Sequence, residues 1–238
     1  MSIFRRKITP HSICLLIYHL VLLLIAIINF PYGKYFIGWD ALNPEFNFAL
    51  NFQRGFSAFW QENQGLGLLG GHGFAAVLPH NIIAYVISRF LPIQAIRPAI
   101  TFLFLYLGGL GMYFLSVYLL RAASIRRRIS IPMGFYFPSL LAALFYVLNL
   151  GTIQMFYIQL EAFIFHFAAL PWLFYVLLSF LENRTRGNFL IFLFVNFFAS
   201  AQGFIPPLFV AYTFAFMLIL ATYLSLSRFS LSSVKEEI

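Results

Sequence analysis

Long apolar runs alternate with short polar segments along this chain. The runs cover residues 13–30, 99–120, 133–150, 158–181, 189–204 and 208–224. About 20 apolar residues cross the hydrocarbon core of a bilayer as a helix. The pattern therefore predicts an all-α, polytopic membrane helix bundle with six transmembrane helices. Composition agrees with it: 62% of the residues are hydrophobic and 9% charged, against about 25% charged in a soluble domain. Such a chain cannot cover its apolar surface with polar side chains, so lipid must be its solvent. It reads as one domain, 1–238, with a long first loop over 31–98.

The net charge of +8 does not indicate nucleic acid, because the basic residues sit in short loops between the runs. Arg5, Arg6, Lys7, Arg121, Arg126, Arg127, Arg128, Arg184, Arg186, Arg228 and Lys235 fall on the N-terminal side of the six-span arrangement. Lys34, Arg54, Arg89 and Arg97 fall on the other. This asymmetry predicts that both termini are cytoplasmic and the first loop is extracytoplasmic. The run after Lys7 is longer than a signal-peptide core and no small-residue cleavage site follows it, so it reads as a signal anchor. Cys14 is the only cysteine and lies inside an apolar run, which excludes a disulfide framework.

Within the first loop, residues 43–61 read as an amphipathic helix. Asn43 suits the N-cap, Pro44 the first helical position and Glu45 the positive helix end. Asn43, Asn47, Asn51, Arg54 and Gln61 trace one polar face, and Phe46, Leu50, Phe56, Phe59 and Trp60 cover much of the rest. A helix of this kind lies in the membrane surface. Residues 82–91 are too short to span and read as a second interfacial helix. Gly65, Gly67 and Gly70 match a dinucleotide fingerprint in letters alone, since no strand–helix–strand unit surrounds them.

The uncommon polar residues gather on the loop side. Asp40, the only aspartate, Glu62, His72 and His80 lie in the loop, Gln154, Gln159 and Glu161 at the start of the fourth run, and Gln202 at the end of the fifth. Ionisable groups near a membrane interior are costly and are often functional. His166 and Asn196 lie deeper and read as hydrogen-bonded inside the bundle. His11 and His19 have no metal-ligand spacing. Asn183-Arg184-Thr185 has the letters of a glycosylation site but falls on the cytoplasmic side.

A first span entering from the cytoplasm leads to a loop that opens with an acid, and a helix bundle follows. With the stretches Gly38-Trp39-Asp40, Asn63-Gln64-Gly65 and Leu78-Pro79-His80, this order resembles the GT-C superfamily of polytopic glycosyltransferases. Over residues 1–180 it is most similar to the N-terminal part of mycobacterial-type arabinofuranosyltransferases and to YfhO-like bacterial membrane proteins. The resemblance implies an integral protein of the bacterial cytoplasmic membrane that transfers a sugar from a polyprenyl-phosphate donor. It gives Asp40 the role of catalytic base, taking the acceptor proton as the anomeric carbon is attacked. Arg54 would steady the departing phosphate, with Glu62, Gln64, His72, His80, Gln159 and Glu161 as further substrate-binding candidates. The superfamily's acid can also help hold a metal. This loop has no paired acidic motif, so no metal or other cofactor is expected. The expected partners are the polyprenyl-phosphate-linked sugar and membrane lipids. The superfamily core is larger, which implies a further C-terminal domain or partner chain. Two other functions fit the same architecture, a transporter of lipid-linked precursors and a non-catalytic membrane scaffold. A transporter needs polar residues through the bundle, and here they cluster at one face.

Overall fold

The computed structural model describes residues 9–37, 46–57, 60–61, 66–69, 75–127, 134–157, 161–203 and 205–235. Apart from a two-residue antiparallel ladder, β1 (Trp60–Gln61) with β2 (Leu68–Leu69), its regular elements are helical. Among the described residues, four helices are long and apolar enough to cross a membrane: α1 (Pro10–Ile28), α4 (Ile93–Arg127), α7 (Glu161–Glu182) and α9 (Pro206–Lys235). A bent pair, α5 (Tyr136–Leu148) and α6 (Leu150–Tyr157), adds a fifth crossing if taken as one span. The chain is built as an integral membrane protein, with four to five candidate spans where the hydrophobic pattern predicts six.

The difference has two local causes. The third run breaks at Asn149, where the axis turns by 45°. Asn149 is extended (ψ 155°), its Nδ2 donates to the carbonyls of Phe145 and Tyr146, and its Oδ1 accepts from the Thr152 amide. One side chain thus caps the end of α5 and the start of α6, satisfying backbone groups that a break inside lipid would strand. The fifth run forms α8 (Arg186–Phe198), of 13 residues. At 1.5 Å per residue this is about 20 Å, short of a core about 30 Å thick. A 3₁₀ turn, Ser200–Gly203, then hands over to α9.

α4 is the hub. It runs parallel to α7 and packs most extensively against it and α5. Three glycines of α4 permit these approaches. A Cβ on Gly108 would collide with the Phe167 ring, one on Gly109 with the Tyr18 hydroxyl and Val147, and one on Gly111 with the Trp172 indole. Small residues at crossing points let membrane helices come close. α1 lies antiparallel on α4: His11 Nδ1 meets the Tyr113 hydroxyl at 2.9 Å, and the Tyr18 hydroxyl donates to the Tyr106 carbonyl at 2.6 Å. Seven residues, two turns, separate the contacts on each helix.

The bundle has two unlike ends. At one lie the start of α1, Arg121 of α4 and, past the end of α7, Arg184 and Arg186. Tyr223 of α9 donates to the Leu181 carbonyl near the same end. The opposite end is covered by two short helices, α2 (Phe48–Ser57) and α3 (Leu78–Ile87).

These covering helices depart from the expectation for the loop. The helix expected over 43–61 begins only at Phe48, because Phe46 takes a left-handed backbone (φ 63°) that a helix cannot include. Asn47 does the capping assigned to Asn43, its Oδ1 accepting from the Leu50 amide at 3.1 Å. Asn43, Pro44 and Glu45 lie outside the described residues. The polar stripe does not all face water, since Asn51 is buried and its carbonyl accepts from Asn81 Nδ2 at 3.4 Å. α3 likewise turns Pro79, Asn81 and Ala84 into the protein. It joins a core formed by Ile96, Ile100 and Phe104 of α4 with Ile164, Phe165 and Ala168 of α7.

Candidate functional site

The covered end buries two asparagines, Asn51 of α2 and Asn81 of α3. α2 and α3 are bound by the Asn51–Asn81 contact and by an aromatic stack of Phe52 on Tyr85, with ring centroids 5.1 Å apart and planes at 14°. The Arg89 guanidinium lies 4.5 Å from the Tyr85 ring centre and also donates to the Tyr85 hydroxyl. Such a cation stabilises an aromatic face by about 0.5–1 kcal/mol at an exposed site. Below this platform, Ser200 Oγ of the 3₁₀ turn donates to the Ala76 carbonyl at 3.2 Å. The turn between α8 and α9 is therefore tied to the start of α3. Backbone that leaves a regular helix at membrane depth survives only when buried in protein or lining a cavity.

His80 is the sequence candidate that the structure positions best. It stands in the first turn of α3, half-buried, with its ring 6.0 Å from that of Phe104 and 6.1 Å from that of Phe165. Phe104 and Phe165 in turn form one wall of an open groove of about 190 Å³. Ile83 of α3, Trp172 of α7 and Phe194 and Phe198 of α8 contribute to the other walls. The one polar group in the lining, Trp172 Nε1, is already bonded to the Leu107 carbonyl at 2.9 Å. The molecule thus sets an imidazole near two rings that wall a purely apolar groove.

Arg54 lies half-buried in the last turn of α2, where its charge suits the negative helix end. Glu161 opens α7, one turn before Phe165. Asp40, Glu62, Gln64, His72 and Gln159 lie outside the described residues. Two described residues that flank the Asp40 segment are held: the Tyr35 and Phe46 rings touch at 5.2 Å, and Gln94 Nε2 at the start of α4 donates to the Tyr35 hydroxyl at 3.3 Å. Gln154 is exposed on α6. No group of three or more His, Cys, Asp or Glu that could hold a metal comes together among the described residues.

Of the deeper polar residues, Asn196 is hydrogen-bonded inside the bundle as expected. Its Oδ1 accepts from the Tyr212 hydroxyl at 2.9 Å and its Nδ2 donates to the Phe192 carbonyl. His166 is buried in α7. His19, on α1, bonds the Leu15 carbonyl through Nδ1 and the Tyr106 hydroxyl through Nε2. A carbonyl only accepts, so Nδ1–H donates to Leu15 and, in the neutral ring, Nε2 accepts from the Tyr106 hydroxyl. No family model matches the chain, and neither a curated protein nor a solved structure matches it.

Proposed function

We propose that the protein is a membrane glycosyltransferase, or an incomplete relative of one, that takes a sugar from a polyprenyl-phosphate donor at the covered end. The observation that carries this reading is the polar platform that α2 and α3 form over one end of an apolar, lipid-facing bundle. A lipid-linked sugar needs both environments at once. Its headgroup must stay wet and bonded while its chain stays in hydrocarbon. The arginine-rich end then faces the cytoplasm, with both termini on that side, and the covered end faces outward from the bacterial cytoplasmic membrane. α8 and α9 act together as a hairpin whose turn is sunk below the outer surface, which preserves the parity of a six-span arrangement.

In this scheme Asp40 accepts the acceptor hydroxyl proton as that oxygen attacks the anomeric carbon and the polyprenyl phosphate departs. His80 and Arg54 supply donors for phosphate oxygens, with Glu62, Gln64, His72, Gln159 and Glu161 as sugar-binding candidates. The test is transfer of labelled sugar from a polyprenyl-phosphate donor in proteoliposomes. General-base catalysis contributes about 10²–10⁴-fold, so Asp40→Asn should lower turnover by about 100-fold or more while expression and donor binding persist. Unchanged turnover in Asp40→Asn would remove the catalytic assignment and favour a scaffold.

A further inference from the structure

The groove between α3, α4, α7 and α8 exists because α8 is short. A helix about 20 Å long cannot wall a hydrocarbon core about 30 Å thick, and the bundle is left notched beside Phe194 and Phe198. Phe194, on the rim, is 62% exposed, so the notch opens toward the membrane. Apolar space of this size does not hold water: an engineered cavity of about 150 Å³ lined by Leu, Ile and Phe stays dry and takes up benzene. At about 190 Å³, the groove suits a short length of hydrocarbon chain.

We infer that the groove is a binding site for one acyl chain of an outer-leaflet phospholipid, which completes the wall that α8 leaves open. The lining decides the class of ligand. Its single polar group is spent on the Leu107 carbonyl, so nothing in it can recognise a head group or a functionalised chain. A site that selects by shape alone is filled by whichever chain the bilayer supplies in excess, and that is phospholipid. The inference does not depend on sugar transfer, because the groove fills in the same way in a scaffold.

The experiment compares lipid retention in three forms of the full chain, purified in mild detergent, washed, and re-exposed to phosphatidylethanolamine–phosphatidylglycerol vesicles. Ala169→Phe places a ring in the groove. Leu20→Phe sets the same ring on the exposed face of α1, where Leu20 is 56% exposed. Native mass spectrometry should find one retained phospholipid in the parent and in Leu20→Phe, and background in Ala169→Phe. Phe198→Ala, which opens the rim, should also lose it, and covers the case in which Ala169→Phe does not fold. Equal retention in all forms overturns the site. A retained polyprenyl phosphate that Ala169→Phe expels also overturns it, and makes the groove the seat of the donor's chain.

Discussion

Pro171 lies inside α7 and has no N–H to give the carbonyl four residues back, that of Phe167. In lipid an abandoned carbonyl costs free energy, because no water replaces the lost partner. The Tyr146 hydroxyl of α5 supplies that partner at 2.9 Å, and its ring stacks on Phe167 with centroids 4.3 Å apart. Tyr146→Phe should therefore destabilise the bundle by about 1 kcal/mol, read as a lower unfolding midpoint in detergent. In a Pro171→Ala background, where the helix can satisfy its own carbonyl, the same change should cost much less. Equal losses in both backgrounds would contradict this role for Tyr146. Tyr18, Trp172 and Tyr223 make the same kind of bond to carbonyls of neighbouring helices. In the sequence these aromatics read only as hydrophobic bulk. Pro171 was the legible clue, since a proline inside an apolar run implies a donor somewhere else.

The elements show which features a linear pattern can carry. α1 and α7 begin and end within a few residues of their apolar runs, because run length and periodicity are local properties. α8 ends early because Ala199, buried among Leu173 and Tyr212, is followed by a 3₁₀ turn tied to Ala76. That tie is a tertiary contact and leaves no periodic trace. The bend at Asn149 was foreshadowed only by an asparagine between two apolar stretches. Three glycines close together in the run that forms α4 were a readable sign of close packing, though not of which helices approach. Gly109→Ala should lose about 1–3 kcal/mol to overpacking, because its new methyl meets Tyr18 and Val147. Gly203→Ala, with nothing within 4 Å of the added atom, should be close to neutral. Thermal unfolding of the two variants in one detergent checks both, and equal midpoints would contradict the hub assigned to α4.

For the whole molecule, the charge pattern and the fold agree on which groups share an end. The N-terminal end of α1 and the Leu181 contact of α9 belong to the arginine-rich end, and the platform of α2 and α3 to the other. In a Cys14→Ala background, Lys34→Cys should react with an impermeant maleimide added to intact cells. Arg184→Cys should react only after the membrane is opened, and the reverse order would invert the proposed topology. The candidate site was legible in part. His80 is a half-buried, positioned group, but nothing along the chain marks its neighbours Phe104 and Phe165 as the wall of a groove. Lining depends on four helices meeting, and no spacing along one helix encodes that.

On the proposed function, the covered end receives a lipid-linked sugar. The most direct test of this is native mass spectrometry of the protein purified from its membrane in mild detergent. A polyprenyl-phosphate sugar should co-purify, bound in addition to any phospholipid and still bound to Asp40→Asn. Phospholipid alone, in every preparation, would contradict the transferase reading while leaving the acyl-chain groove standing.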